Sequence, residues 1–179
     1  MAEASANEIG ANSMLIRVGA LYHDIGKMKN PTYFTENQST GVNPHDELSS
    51  SESERIINDH AINGIEIAKK YHLPHRVIDF IRTHHGTSLV YYFYMKEKAI
   101  NENADIKDFS YPGPKPFSKE TAILMMCDSV EAASKSLKEP TSTKINEFVE
   151  NIINKQMESG QFLNADITFK EIQSIKKVL

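Results

Sequence analysis

Positive charge is in short supply in this sequence. Its 20 lysines and arginines stand against 24 acidic residues, a formal net charge of −4. A general DNA or RNA binder needs a basic face to neutralise phosphates, so that class is disfavoured. A small anionic substrate stays open, provided that bound metal ions supply positive charge locally. Cysteine is nearly absent as well. The single Cys127 excludes an intrachain disulfide and fits a reducing compartment. No apolar run approaches the roughly 20 residues of a membrane span, and no signal peptide is recognisable. Internal repeats, low-complexity tracts and convincing strand alternation are missing too. The 179 residues, 40 % of them apolar, are enough for one domain with a substantial core.

What is present is helix. Ala2-Glu3-Ala4-Ser5-Ala6-Asn7-Glu8-Ile9 has strong helix formers and no capping residue ahead of it, so the chain reads as starting inside a helix of a longer protein. After a turn, Asn12 or Ser13 caps a second helix with Leu15, Val18, Tyr22 and Ile25 on its apolar face, and Pro31 ends it near Lys29. Residues 30–53 read as a long polar loop, of a kind that often carries function, with His45 on its solvated surface. A helix over about 53–71 lines up Ile56, His60, Gly64, Ile67 and Tyr71; another over about 74–85 lines up Val77, Phe80, Ile81 and His84. His72 and His75 fall in the exposed connection between them. A tyrosine-rich helix over about 88–101 ends in the solvated Lys96-Glu97-Lys98, and a proline-bound loop covers 104–117. Ser118 caps a helix running to about Leu137, with Ile123, Met126, Cys127, Val130 and Leu137 facing the core. The last two helices start near Ser142 and at Thr168, the latter with a capping box to Glu171. The expected fold is all-α, a helical bundle forming a single domain over residues 1–179.

The organising stretch is Tyr22-His23-Asp24-Ile25-Gly26-Lys27. Helical neighbours point about 100° apart, so His23 and Asp24 can converge on one point beside the helix. The small Gly19, Ala20 and Gly26 are expected to leave room there for something other than a side chain. A surface His-Asp pair beside a helix-ending glycine is the plain alternative. His60 occupies a core-facing position, and His84-His85 continues an apolar face at a helix end. Asp128 has Leu124 and Met125 one turn before it and Ala132 one turn after, surroundings costly for an unpaired carboxylate. Singly, His60 is as well explained by hydrogen bonds and His-His by a surface accident. Jointly, nitrogen and carboxylate ligands without thiolate suit iron, manganese, zinc or nickel, and six ligands exceed one tetrahedral site with an open position. Two divalent metals bridged by one carboxylate accommodate them. Such a pair, roughly 3.5–4 Å apart, promotes phosphoester hydrolysis.

The order His-Asp, His, His-His, Asp on an all-α scaffold resembles the HD-domain phosphohydrolases over nearly the whole chain. Within that superfamily, Gly19-Ala20-Leu21-Tyr22-His23-Asp24-Ile25-Gly26-Lys27, Glu36-Asn37-Gln38, Asn43-Pro44-His45, His84-His85-Gly86-Thr87-Ser88-Leu89 and Tyr111-Pro112-Gly113-Pro114-Lys115-Pro116 resemble the cytoplasmic domain of the seven-transmembrane-receptor HD proteins. That family hydrolyses the bacterial messenger cyclic di-AMP at a di-iron-type centre. The resemblance implies that Asp24 bridges two metals, that His60, His84 and His85 complete one of them, and that His23 and Asp128 hold the other. It favours a catalytic Lys27 reaching a phosphate over a bland role at the helix C-terminal dipole. Tyr111 and Lys115 are expected to border the nucleotide with a stacking ring and a positive charge, the alternative being a plain inter-helix connection. The implied partner is a cyclic dinucleotide opened to pApA. The implied parent is a membrane-anchored protein with this domain on the cytoplasmic face. The family begins its ligand set with a histidine upstream of the His-Asp pair, and none precedes His23 here, so the metal at His23 and Asp128 is expected to be under-liganded. Two readings compete: an HD hydrolase of cyclic di-GMP or a mononucleotide, and a non-catalytic nucleotide sensor. The cyclic di-GMP group carries Gly-Tyr-Pro after its His-His pair, where this chain has Thr87-Ser88-Leu89-Val90.

Overall fold

Helix starts follow the capping residues. The computed structural model describes residues 1–38, 41–135, 137 and 141–179. Among them are eight α-helices: α1 (Ala2–Glu8), α2 (Ser13–Tyr22), α3 (Ser50–Lys70), α4 (His75–Thr83), α5 (Tyr91–Lys98), α6 (Lys119–Ser134), α7 (Ser142–Glu158) and α8 (Phe169–Val178). Asn12 caps α2, its side chain accepting the Leu15 N–H at 2.9 Å. Ser49, Ser118 and Thr168 open α3, α6 and α8 with reciprocal capping boxes to Glu52, Thr121 and Glu171, satisfying N–H groups that a helix start otherwise leaves bare. The box at Ser49 starts α3 earlier than the apolar stripe implied. α5 is shorter than expected because the residues before it are engaged elsewhere: Leu89 bridges Ser110 and the Val90 N–H donates to the Phe109 carbonyl at 2.7 Å. α6 stops at Ser134; Leu137 lies half-buried beyond it, and Ser136, inside the expected helix, is outside the described residues. So are Ser39 and Thr40 of the long loop.

The main core joins α1, α2, α4, α6, α7 and α8 through Ala6, Ile16, Phe80, Met125, Ile153 and Ile175, all at most 1 % exposed. α6 lies at its centre. Ala122, Leu124 and Met125 are buried as well as the expected Ile123, Met126, Cys127 and Val130, so this helix is enclosed around most of its girth rather than on one face. Two stripes correct the sequence expectation. On α2 the buried positions are Ile16 and Gly19, while Tyr22 is exposed; on α3 the stripe ends at Ala68, and Tyr71 is exposed. Among the described residues, no helix is long and apolar enough to cross a membrane.

The α-helical path expected through Lys29 breaks at Tyr22, and residues Ile25–Lys29 tighten into a 3-10 helix. Ala20 borders an open cavity with His23, Asp24 and Asp128, but the two glycines leave no empty space. A Cβ on Gly19 would lie 2.5 Å from the Phe80 ring, and one on Gly26 would lie 1.8 Å from the His60 carbonyl oxygen. At Gly19 and Gly26 the room is filled by a ring of α4 and by the backbone of α3. His45 is corrected too: it is 6 % exposed, not solvated. The turn Pro44–Glu47, capped by Asn43, carries it inward, where its Nε2–H donates to the Tyr33 carbonyl at 2.9 Å and its ring packs on Phe93.

Gly26→Ala should cost about 3 kcal/mol or more in chemical denaturation, because backbone cannot yield as an overpacked side chain does. Gly10→Ala, whose new Cβ meets nothing although its φ is +71°, should cost only about 1 kcal/mol. Equal losses would contradict the close approach. His45 carries a pH dependence. Burial lowers its pKa, against the hydrogen bond to the Tyr33 carbonyl and the nearby Asp46; Lys96 also lowers it. The folded state therefore binds the proton less well than the unfolded chain. The stabilisation is full above the unfolded pKa of about 6.5 and lost as pH falls below it. The stability advantage of wild type over His45→Gln should shrink between pH 7.5 and 5.5; a constant difference would contradict this.

Candidate metal centre

Four helices deliver six side chains to one place. His23 is the C-cap of α2, one residue past its end, and Asp24 follows at φ −100°, where the chain leaves the α-helix. His60 comes from the middle of α3, His84 from the C-terminal end of α4 with His85 next to it, and Asp128 from α6. Asp24, His60, His84 and His85 form one set and His23, Asp24 and Asp128 a second, the ligand atoms of each lying within 4.8 Å of one another. Asp24 belongs to both. Its Oδ1 lies 3.4 Å from His60 Nε2 and 3.5 Å from His84 Nε2, while its Oδ2 lies 3.3 Å from His23 Nε2. His23 Nε2 is also 3.3 Å from Asp128 Oδ1. The second set opens onto a cavity of about 320 Å³ that Met1 and Ala2 also line.

The ring tautomers test whether a cation fits. His23, His60 and His84 each turn Nδ1 to the carbonyl three residues earlier, Ala20, Ile57 and Ile81. A carbonyl only accepts, so each Nδ1 donates, and in the neutral imidazole each Nε2 is left as a bare lone pair. Those lone pairs point at one another and at carboxylates: His60 and His84 meet Nε2 to Nε2 at 3.1 Å. Asp24 Oδ1 is buried beside them without a hydrogen bond. Acceptors facing acceptors repel, and a shared divalent cation turns that repulsion into coordination. Fixing the outer ring nitrogen by hydrogen bond is how metal-ligating histidines are oriented.

Charge follows the same logic. Burial opposes a proton on His23, but hydrogen bonds to Asp128 and Asp24 outweigh it and hold its pKa at about 10. That proton occupies the position between two carboxylates that a metal ion would take. Burial works against ionisation of Asp24, yet the imidazoles of His23 and His84 keep it far below the ordinary carboxylate range. His60 is pushed down to about 4 by burial and by His84, and His85 well below its usual value by burial and the same neighbours. Both present neutral nitrogens.

The HD-domain family profile matches residues 1–133. The chain belongs to the HD-domain family. It is 50 % identical over its full length to the cyclic-di-AMP phosphodiesterase PgpH of Listeria monocytogenes and 45 % identical to PgpH of Bacillus subtilis, spanning about a quarter of each relative (25 % in both). The crystal structure of the L. monocytogenes PgpH HD domain in complex with cyclic-di-AMP superposes with a TM-score of 0.96 at 50 % identity, covering 98 % of this chain and 82 % of that one.

Around the six residues, this HD domain places the remaining candidates unequally. Lys27 is at the centre. The 3-10 geometry sets residues three apart over one another, and its Nζ lies 2.7 Å from Asp24 Oδ2 and 2.6 Å from Glu36 Oε1, with the Phe34 ring 5.1 Å away. Tyr111 is at the centre too: its ring stacks on His85 at 4.1 Å, and burial raises the pKa of its phenol. Lys115 is not brought in; its Nζ lies 3.4 Å from the Ser159 carbonyl at the end of α7, where a cation complements the helix dipole. Two supporting residues escaped the sequence reading. Glu36 stood out only as part of a motif, not as the partner of Lys27. Gln161, 2 % exposed, accepts the Thr87 N–H at 3.0 Å and donates to Thr87 Oγ1 at 3.1 Å, pinning the turn after His85. A Cβ on Gly86, at φ +52°, would lie 2.4 Å from Gln161 Oε1. No local pattern announces a glutamine that acts 74 residues away.

Divalent ions should stabilise this domain. Mn²⁺ at 100 times its dissociation constant should add about 2.7 kcal/mol to the unfolding free energy, read as a rise in thermal midpoint that chelator reverses. His84→Ala should remove most of the rise; an undiminished rise in that variant would rule out the assignment.

Proposed function

We propose that this domain is a metal-dependent phosphodiesterase that hydrolyses cyclic di-AMP to pApA. The observation that carries the reading is the shared carboxylate: Asp24 presents Oδ1 to one set of ligands and Oδ2 to another. One carboxylate serving two sets suits two adjacent divalent ions, iron or manganese first, zinc or nickel next. When bound, such a pair supplies an activated water and neutralises charge on the phosphoryl group. The likeness to an HD domain crystallised with cyclic-di-AMP supports the choice of substrate.

The residues of this chain then divide the work. His60, His84, His85 and Asp24 would hold one ion, and His23, Asp24 and Asp128 the other, with His23, His60 and His84 kept in register by their backbone hydrogen bonds. Lys27 keeps its ammonium beside Asp24, where burial lowers its pKa but Asp24 and Glu36 raise it further, so it stays charged. From there it faces a phosphate at the centre. In the reaction water adds to phosphorus, the ribose 3′ oxygen leaves with a proton, and a 5′-phosphate remains on the linear product. In this reading the domain works on the cytoplasmic side of a membrane, within a longer chain of the kind its relatives have.

The protein loaded with Mn²⁺ or Fe²⁺, given cyclic di-AMP and cyclic di-GMP in parallel, should convert the first to pApA in preference to the second. Lys27→Met should keep its metal and fold but lose about 10²–10³ in rate. Binding of cyclic di-AMP without any turnover would make the domain a sensor instead. Rates for Lys27→Met within twofold of wild type would return Lys27 to a structural role.

A further inference from the structure

One of the four histidines at the centre is held differently from the rest. His23, His60 and His84 each commit Nδ1 to a backbone carbonyl three residues earlier. Among the described residues, neither ring nitrogen of His85 has a hydrogen-bond partner. The outer torsion of a histidine is broad on its own, so something else has to set the angle of this ring. Two rings are in contact with it. That of His84 lies 3.9 Å away, tilted by 45°, and that of Tyr111 lies 4.1 Å away and stacked, at 21°. We propose that Tyr111 is a positioning residue that fixes the His85 imidazole for the metal, by stacking where the other three histidines use a hydrogen bond. The proposal rests on the reading of the centre as a metal site.

Three features of the contact suit that task. The first is its direction. A nitrogen lone pair lies in the plane of the imidazole, so a ring laid on the face restrains the tilt and leaves the nitrogen free to coordinate. The second is that Tyr111 is itself held by the segments that carry the ligands. Its N–H donates to the Ser88 carbonyl at 2.9 Å, and the Ser88 N–H donates to the His85 carbonyl at 3.0 Å, so the stacking partner is tied to the turn that starts at His85. On its other side the Ser110 carbonyl accepts Asn58 Nδ2–H at 3.2 Å, from α3 two residues before His60, and Glu54 holds the same amide. The third is that the Tyr111 ring also stands edge-on to the His60 ring, at 6.1 Å and 88°. It thus touches two ligands of one set, His60 and His85. Support of this kind around metal-ligating histidines sets both their orientation and the affinity of the site. A tyrosine face laid on His85 is closed to a nucleobase, which separates this role from that of a substrate contact.

The test titrates the full chain with Mn²⁺ and follows the free ion by its paramagnetic resonance, with unfolding in chelator as the check that each variant folds. Tyr111→Leu fills the space without a flat face and should weaken Mn²⁺ binding about 10-fold or more, as loss of an orienting partner does. Tyr111→Phe keeps the ring and should restore the affinity. In a His85→Ala background, Tyr111→Leu should cost little more, because the two residues act as one unit and their losses do not add. At saturating Mn²⁺, the KM for cyclic di-AMP in Tyr111→Leu should stay within about twofold of wild type. If Tyr111→Leu fails to fold, Tyr111→Met carries the same comparison. Mn²⁺ affinity unchanged in the ring-deleted variant, or losses that add in full with His85→Ala, overturns the positioning role and leaves the metal centre standing. A raised KM with unchanged Mn²⁺ affinity also overturns it, in favour of a substrate contact. A wild type that binds no Mn²⁺ overturns both the role and the centre.

Discussion

Mutual repulsion among buried acceptors is the constraint around which the structure is arranged. Three imidazole nitrogens stand 3.3–3.5 Å from the Asp24 oxygens, two of them 3.1 Å from each other, a grouping that a hydrophobic core would never assemble for stability. Three rings are kept from rotating to relieve it because their outer nitrogens are committed to carbonyls one turn back. The helices thus supply both the ligands and the hydrogen bonds that aim them. Functional sites are where the ordinary rules of burial are broken and compensated elsewhere; here the compensation is the enclosed apolar helix α6 and the core around it.

Bringing Asp24 to His60 requires backbone to meet backbone. Gly26 and Gly64 provide the contact, with the position of a Gly26 Cβ falling almost on the His60 carbonyl oxygen. The same approach explains why the α-helix gives way after Tyr22: the chain tightens at the point where it must pass close under α3. The tightening has a chemical consequence. It stacks Lys27 over Asp24, so that a cation stands next to the shared carboxylate, and Glu36 keeps that cation from being wholly committed to Asp24.

The loop between α2 and α3 is structural and chemical at once. Short 3-10 turns at Pro31–Tyr33, Thr35–Asn37 and Pro44–Glu47 fold its Phe34 and His45 inward, although its composition is polar. Phe34 stands edge-on to the His60 ring, and Glu36 reaches Lys27. Composition alone reads such a segment as solvated, because polarity reports the average residue and not the few that turn in.

Much was legible before any coordinates. Helical periodicity and capping residues define the all-α class and most helix starts, because both act over three or four neighbouring residues. The six candidate ligands stand out because histidines and aspartates on apolar faces are costly without a partner, and that cost is visible locally. Tertiary structure decided the rest. That Asp24 faces two sets, that Tyr111 stacks on His85 while Lys115 turns to α7, that His45 is buried and that Gln161 pins a turn 74 residues away all depend on how helices cross. Such crossings are set by packing between segments far apart in the chain, and no local spacing encodes them.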